Sequence, residues 1–156
     1  MKRHEQLQPL SRQHHNGLLM AMLLTKGLKK NASPDLMRDF ISRGWRDELK
    51  EHFEMEESVL IPALEKKSFY PALTRQLLEE HRQLRLIVQK AIDHSATVND
   101  ISAFASLLEK HIRFEEKIYF PRAEEALHET ELIQIGGLLH EDRSKNCMNY
   151  PHKFWE

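Results

Sequence analysis

Apolar residues recur along most of the chain at intervals of three and four, the spacing of one face of an α-helix. In the first predicted helix, from about Leu10 to Lys29, this stripe consists of Leu7, Leu10, Leu18, Ala21, Met22 and Leu28. Segments rich in Val, Ile and Thr with alternating polarity, which are typical of strands, do not interrupt the pattern. The pattern therefore predicts an all-α fold.

Polar and proline-containing breaks divide this pattern into four long helices and a short fifth one. Ser33 is a good N-cap for the second helix, and Pro34 suits a first helical turn. The predicted bounds are about 34–66 for the second helix, about 72–94 for the third, about 100–128 for the fourth with Asn99 or Asp100 as its cap, and 129–140 for the fifth.

Four long helices joined by short turns predict an antiparallel up-down-up-down four-helix bundle. We expect one domain over residues 1–145, with the fifth helix included, followed by an irregular aromatic tail over residues 146–156. Phe154 and Trp155 indicate a tail that packs on the bundle or on a partner, and a free tail is the alternative.

Two segments, on the second and fourth predicted helices, are near copies of each other. Residues 52–62 and 111–121 each have His-x-x-x-Glu-Glu, then apolar residues, then a proline ten positions after the histidine. A His and a Glu four residues apart lie one turn apart on the same helix face. Pro62 and Pro121 predict a kink or an end of the helix beyond that turn, and their matched offset favours a repeated structural role over a simple helix stop.

The first and third predicted helices each add a single histidine to this repeat. Leu10-x-x-x-His14 and Leu77-x-x-x-His81 place a Leu and a His on one face, so the chain has the pattern of a duplicated helical hairpin. His15 is the alternative to His14, although only His14 continues the apolar stripe. A two-fold arrangement would bring six side chains together at the centre of the bundle: His14, His52, Glu56, His81, His111 and Glu115.

Imidazole and carboxylate groups in this number predict a metal site, and the two carboxylates predict a dinuclear one. These ligands suit Fe, Mn or Zn, whereas iron–sulfur clusters and structural thiolate zinc require cysteine ligands. Six protein ligands for two metals leave coordination positions for water, O2 or another small molecule. A lone buried His is more often a hydrogen-bonded core residue, and a single His-x-x-x-Glu pair is often a solvated surface pair. Two copies in register favour the metal site.

Composition narrows the class of protein further. The chain has 156 residues, enough for one sizeable core, and 23 basic residues against 24 acidic ones leave no basic field for nucleic acid. Cys147 is the only cysteine, so an intrachain disulfide is excluded and a reducing cytoplasm is expected. The first residues have no apolar stretch after their charges, and no apolar run approaches the length of a membrane span.

The motifs Leu-x-x-x-His, His-Phe-x-x-Glu-Glu, x-Glu-His-x-x-Leu and His-x-x-x-Glu-Glu follow one another in residues 7–127. In this order and spacing the chain resembles the hemerythrin-like (HHE cation-binding) family. The resemblance implies an antiparallel four-helix bundle with a non-haem di-iron centre, that is, two oxo- or hydroxo-bridged Fe ions, with Mn or Zn as alternatives. It implies six ligands, with Glu56 and Glu115 as bridges: His14, His52, Glu56, His81, His111 and Glu115.

Two departures separate this chain from the oxygen-carrying hemerythrins it resembles. The carriers have a second His one turn away on the third helix, where this chain has Leu77 and Arg85 around His81. They also end with His-x-x-x-x-Asp, whereas this chain has Glu115 four residues after His111. The interpretation is an open dinuclear site for binding or sensing O2, nitric oxide or the iron or redox state, rather than simple O2 carriage.

Two other classes of function stay open at this stage. One is an enzyme or repair factor that donates iron to damaged centres, and the other, ranked last, is a metal-independent helical interaction module. A non-enzymatic role is favoured over an enzymatic one. A protein partner or a homodimer is compatible with the sequence.

The residues around the predicted ligands are less specific. Glu57 and Glu116 point about 100° away from the bridging glutamates, so a solvated or inter-helix salt-bridge role is predicted rather than ligation. A dry wall around the site is predicted from apolar residues at helical spacing, namely Met55, Phe114, Leu18, Leu84 and Ile118.

Overall fold

The computed structural model describes residues 2–139 and 149–156, and within these ranges it contains helices and no strand. A short 3₁₀ turn, Glu5–Leu7, leads into the first long helix, Gln8–Lys29. The other helices are 34–65, Pro71–Ile92, 98–126 and the short fifth helix Glu129–Leu138. The prediction of an all-α fold is confirmed. None of the helices in the described ranges has both the length and the apolar character needed to cross a membrane.

The start of the fourth helix corrects one prediction. Its N-cap is Thr97, whose hydroxyl accepts a hydrogen bond from the backbone N–H of Asp100 at 3.1 Å, while the Asp100 carboxylate accepts one from the N–H of Thr97 at 2.9 Å. This reciprocal capping box satisfies two otherwise unpaired donors of the first turn. The prediction that Asn99 or Asp100 is the cap is therefore wrong, because Asp100 is the third residue of the helix.

Both copies of the repeated motif contain a π-helical turn that begins at the first glutamate. The turns are Glu56–Leu60 and Glu115–Tyr119, and in each the closing N–H bonds a carbonyl five residues earlier. The helices continue past Pro62 and Pro121 to Glu65 and Ala126, close to their predicted bounds, so these prolines are not helix stops. A wider turn moves the carbonyl four residues back away from the proline ring, which removes the usual clash.

The long helices pack with opposed residue order along each neighbouring pair. Arg3 and Ser11 at the start of the chain bond Glu124 and Glu116, so residue numbers rise along the first helix while they fall along the fourth. The first and second helices have the same opposed order, because residue 13 contacts 52 and residue 20 lies beside 44. The second and third helices follow it through contacts 57–81 and 38–96, and the third and fourth through 80–111 and 90–100. This order is that of an up-down-up-down arrangement.

Two apolar clusters fill the bundle, with the six predicted ligands between them along the helices. One cluster includes Phe40, Leu84 and Phe104, and the other includes Leu10, Leu77 and Tyr119. The predictions for Met22 and Ile118 are wrong, since these side chains are 46% and 45% exposed. In the case of Ile118 the π turn is the reason, because it carries the buried stripe from Glu115 directly to Tyr119.

The described end of the chain, residues 149–156, lies on the bundle. Phe154 and Trp155 are buried, and their rings are 5.1 and 5.9 Å from the ring of Phe40 on the second helix. The first helix offers Gly27 at this point, where a Cβ would come within 2.5 Å of the Phe154 ring. The contact with the bundle, rather than with a partner, thus applies to this part of the predicted tail. His140, the predicted end of the fifth helix, and residues 146–148 of the tail lie outside the described residues.

Candidate metal centre

The four long helices bring the six predicted ligand residues together in the middle of the bundle. Each of the six side chains is at most 4% exposed, although all six are polar or charged: His14, His52, Glu56, His81, His111 and Glu115. His15, the alternative to His14, is exposed. Buried ionisable groups are rare unless they are paired or bind a metal, so this cluster requires an explanation.

The carboxylates of Glu56 and Glu115 lie between two pairs of histidines. Glu56 directs Oε2 at Nε2 of His52, 3.3 Å away, and Oε1 at Nε2 of His81, 3.1 Å away. Oε1 of Glu115 is 2.9 Å from Nε2 of His14 and 3.3 Å from Nε2 of His111. Each glutamate therefore faces one histidine of each pair.

The side chains form two four-residue groups that share both glutamates. One group adds His14 and His52, the other adds His81 and His111, and in each group the potential ligand atoms lie within 4.8 Å of one another. We name these the His14/His52 position and the His81/His111 position. Two such groups with common carboxylates are what two adjacent cations would need.

The outward-facing nitrogen of each lone histidine is held by the second glutamate of a motif. Nδ1 of His14 is 2.7 Å from Glu116, and Nδ1 of His81 is 2.6 Å from Glu57. A carboxylate accepts at this distance, so Nδ1 is the donor of this bond and Nε2 is the nitrogen that faces the centre. Glu57 and Glu116 thus make the predicted inter-helix contacts, and their partners include the site histidines themselves.

The motif histidines follow the same rule, with one difference between the two halves. Nδ1 of His111 is 2.7 Å from Oε1 of Glu80, and Nδ1 of His52 is 2.6 Å from Oε1 of Gln13. Gln13 and Glu80 each come directly before a lone histidine, so they are equivalent in the repeat. Three of the four imidazoles therefore donate to a carboxylate and the fourth donates to an amide.

Basic side chains hold the two outer glutamates in place. Arg85 contacts both carboxylate oxygens of Glu57, at 2.7 and 3.2 Å, while Glu116 accepts from Ser11 at 2.8 Å and lies 3.6 Å from Arg3. Arg85, one helical turn after His81, thus bonds an outer carboxylate.

Sequence reasoning missed the roles of several residues just outside the ligands. Gln13 and Glu80 could have been found as the residues at the same offset in the two Leu-x-x-x-His segments. The roles of Arg3 and Ser11 carry no local signal, because they depend on the packing of the first helix against the fourth. Arg85 was visible only as the replacement of an absent ligand.

Aromatic rings close the site on two sides. The Phe53 ring stacks on His81 with centroids 3.8 Å apart and planes 2° apart, and Phe120 is nearly parallel to His14 at 5.3 Å. Of the residues predicted to form a dry wall, Leu84, Met55 and Phe114 are buried and Leu18 is partly buried. Apolar surroundings of this kind limit the access of water to a metal site.

A narrow cleft leads to the site from one side. It is lined by Gln13, Gly17, Glu48 and Leu49, and it ends at His14, His52 and His111, with Phe53, Leu108 and Ile112 completing its walls. Gly17 lies where a Cβ would come within 2.6 Å of Ile112, so the first and fourth helices approach closely beside the cleft.

The site carries opposite electrostatic shifts on its two carboxylates. Burial, together with repulsion from Glu115, raises the pKa of Glu56 well above its ordinary value. Burial also opposes ionisation of Glu115, but His111 and other donors outweigh it and hold its pKa well below the usual range. Two like charges so close together are unfavourable, so the pair opposes the ionisation of both carboxylates in the absence of a cation.

The two motif histidines also differ in charge. Burial lowers the pKa of His52 to about 4. Burial acts on His111 in the same direction, but Glu115 and Glu80 outweigh it and raise its pKa to about 9. Glu80 faces His111 where Gln13 faces His52, so the outer partner contributes to this difference.

The donor atoms at the centre fit a metal ion. Six buried atoms of the central residues have no hydrogen-bond partner within the described part of the chain: Nε2 of His52, His81 and His111, both carboxylate oxygens of Glu56, and Oε2 of Glu115. Buried polar atoms without a partner are costly and rare in folded proteins. Neutral imidazole nitrogens and carboxylate oxygens are the ligands of iron, manganese and zinc. A cation at the centre would satisfy these atoms together.

The comparison with protein families agrees with this geometry. The family model described as Hemerythrin HHE cation binding domain matches residues 5–123, about three quarters of the chain. The matched region contains all six residues of the centre and the four side chains that accept from their Nδ1 atoms: Gln13, Glu57, Glu80 and Glu116. No curated protein and no solved structure matches the chain.

Proposed function

We propose that this chain, which belongs to the hemerythrin HHE cation-binding family, is a di-iron protein that binds or senses a small diatomic molecule. Membership of the family implies a bound cation, and iron is the metal we assign to the site. The two ions would lie at the His14/His52 and His81/His111 positions, with O2 or nitric oxide as the external ligand. The single cysteine supports a reducing, cytoplasmic setting.

One observation carries this proposal: Glu56 and Glu115 belong to both four-residue groups. The two oxygens of Glu56 face different histidines, one from each group, which is how a carboxylate bridges two ions. A single mononuclear site would not need the second pair of imidazoles. The shared carboxylates also bring two negative charges to offset part of the charge of two divalent cations.

The residues of the chain hold and orient the ions, and iron would supply exchangeable coordination positions and a change between the ferrous and ferric states. Four imidazoles and two shared carboxylates leave each ion with fewer protein ligands than an octahedral iron accepts. The Nδ1–H donations keep every Nε2 directed at the centre. Phe53 and Phe120 exclude water from two sides.

The third helix favours sensing or exchange over reversible O2 storage. One turn to either side of His81 the chain has Leu77, which is buried in the apolar core, and Arg85, which is engaged with Glu57. Neither supplies a neutral nitrogen to the centre. With one ligand fewer than the carriers that the sequence resembles, the site has more positions for an external molecule and holds its metal with fewer bonds.

Metal analysis of the purified protein, with an absorption spectrum taken before and after exposure to air, tests this proposal. We expect close to two iron ions per chain after anaerobic reconstitution with Fe(II), and a visible band that changes on reduction and on addition of O2 or nitric oxide. Less than one ion per chain after reconstitution would contradict the proposal and favour a metal-independent module. Rapid transfer of iron to an acceptor protein, without a spectral response to either gas, would favour an iron-donating role instead.

A further inference from the structure

We infer that the two metal positions hold their ions unequally, and that Gln13 makes the His14/His52 position the one that releases its ion first. This inference rests on the proposed function, since it requires two bound ions. It assigns to Gln13 and Glu80 the part of positioning residues, which act on the metal through His52 and His111.

The inference starts from the one break in the two-fold pattern of hydrogen bonds around the centre. Gln13 and Glu80 occupy equivalent places, accept from equivalent Nδ1 atoms, and do so at nearly equal distances of 2.6 and 2.7 Å. The other equivalent pair, Glu57 and Glu116, is chemically identical. Among the four side chains that accept from the Nδ1 atoms, the difference is therefore confined to one, an amide in place of a carboxylate.

An amide and a carboxylate act differently on the imidazole they hold. A carboxylate that accepts the Nδ1 proton increases the electron density at Nε2 and strengthens its bond to a metal, whereas a neutral amide oxygen does so less. Glu80 is also fixed by Gln76, which donates to its second oxygen at 3.2 Å. His52 is thus the weakest donor among the four histidines.

The route to solvent favours the same position. The cleft that Gln13 lines reaches both His14 and His52, but only His111 of the other pair. The side chains of His14 and His52 are each 4% exposed, against 0% and 1% for His81 and His111. His81 is in addition covered by the stacked ring of Phe53. The weaker donor and the open side therefore coincide at the His14/His52 position.

A site of this kind would keep one ion and exchange the other. The retained ion at the His81/His111 position would keep the shared carboxylates ordered, since both glutamates face that pair as well. The exchangeable ion would respond to the supply of ferrous iron. The device thus adds sensitivity to Fe(II) to the binding of a diatomic molecule.

Release of iron to a chelator, followed in time, tests the inference. The protein is loaded anaerobically with two equivalents of Fe(II) and mixed with an excess of a chromogenic Fe(II) chelator. We expect two phases of equal amplitude. Replacing the amide with a carboxylate, Gln13→Glu, should slow the fast phase by about tenfold, the lower end of the effect of such outer partners. The exchange Glu80→Gln should speed the slow phase by a similar factor.

The double variant Gln13→Glu with Glu80→Gln gives the sharpest result, because it moves the amide from one half to the other. The phases should remain, but the slow ion should now be the one at the His14/His52 position. A further change of Glu116→Gln, which weakens only His14, should then speed the slow phase in the double variant, whereas in the unaltered chain it speeds the fast phase.

Two control variants separate the hydrogen bond from charge and from folding. Gln13→Asn remains neutral but is too short to reach His52, so it should speed the fast phase. Gln134→Glu adds the same charge at an exposed place on the fifth helix and should change neither phase. Each variant is compared with the unaltered chain by circular dichroism, and Gln13→Asn carries the test if Gln13→Glu does not fold.

The outcomes distinguish this inference from the proposed function. If fewer than two ions bind to the unaltered chain, the proposed function itself is contradicted and the inference falls with it. If two ions bind but leave in one phase, or if Gln13→Glu and Gln13→Asn leave the fast phase unchanged, only the inference is overturned.

Discussion

The first two helices and the third and fourth helices contribute the same set of groups to the centre. Each half supplies a lone histidine, a motif histidine and a shared glutamate, and each half has a π turn before a proline. The halves differ one bond farther out, where Gln13 faces His52 and Glu80 faces His111. They also differ at one end of the bundle, where the aromatic residues at the end of the chain pack against the first and second helices.

This difference indicates that the six central groups and the outer side chains that bond them are under separate constraints. The six central groups match in both halves, as two cations with common carboxylates would require. The outer partners can vary, because they adjust how strongly a ligand binds without changing which atoms face the metal. A duplicated hairpin can therefore keep its metal site while its two positions diverge.

The largest effect is expected from removing what the halves share. The double substitution Glu56→Gln with Glu115→Gln should abolish binding of both ions, because each position loses both of its carboxylates and the charge that offsets the cations. Metal analysis after reconstitution should give less than about 0.2 ion per chain, an order-of-magnitude limit for a loss of more than tenfold. His15, the exposed neighbour of His14, provides the control, since His15→Ala should retain full binding of iron. Full occupancy in the double variant would show that the shared carboxylates are not ligands.

Removal of the metal should lower stability in both halves together. A ligand that binds only the folded chain at a thousand times its dissociation constant stabilises it by about 4 kcal/mol. Because both halves supply ligands, protein from which a chelator has removed the metal should unfold in one transition, at a lower denaturant concentration than the metal-loaded protein. Circular dichroism measures both transitions. An unchanged unfolding midpoint would show that the metal does not stabilise the fold. A loss of structure confined to one half would show that the two halves do not depend on the metal equally.

A smaller effect should be confined to the end of the first hairpin. Gly27→Ala places a Cβ within 2.5 Å of the Phe154 ring and should destabilise the fold by about 1–3 kcal/mol, as overpacking does. Iron binding should not change, because the tail packs in the cluster around Phe40 and away from the ligands. Gly137→Ala is the matched control, as its Cβ would meet nothing within 4 Å. Loss of iron in Gly27→Ala would mean that the two regions are coupled.

The smallest effects should come from the arginines that hold the outer glutamates. Arg3→Gln should cost more stability than Arg85→Gln, because the Arg3 side chain is 14% exposed and also bonds Glu124, whereas Arg85 is 36% exposed. Ion pairs near the surface contribute about 1 kcal/mol or less. Chemical unfolding of both variants at low and high salt would compare them. The reverse order would show that Arg85 supports His81 more than its exposure indicates.

Much of this architecture follows from spacing alone. The apolar period predicted the helices, and the repeat of His-x-x-x-Glu with two lone histidines predicted which six side chains meet, because residues four apart share a face. The helices were predicted to run past Pro62 and Pro121, but the π turns were not, since the spacing of apolar residues does not show how the backbone accommodates a proline. Ile118 was misplaced for the same reason.

The outer partners were partly visible. Glu57 and Glu116 had the right direction for inter-helix contacts, but their contact with His81 and His14 depends on which helices are neighbours. The difference between Gln13 and Glu80 stood in the sequence, where nothing showed that these residues face His52 and His111. Spacing along a helix predicts a face, whereas contacts across helices depend on packing.

Anomalous diffraction at the iron edge from crystals of the reconstituted protein tests the central claim most directly. We expect two anomalous peaks of similar height, one between His14 and His52 and one between His81 and His111. Glu56 and Glu115 should lie next to both peaks. The separation of the peaks should be about 3.5–4 Å, as in other sites with two metals. A single peak, or peaks away from these side chains, would contradict the account.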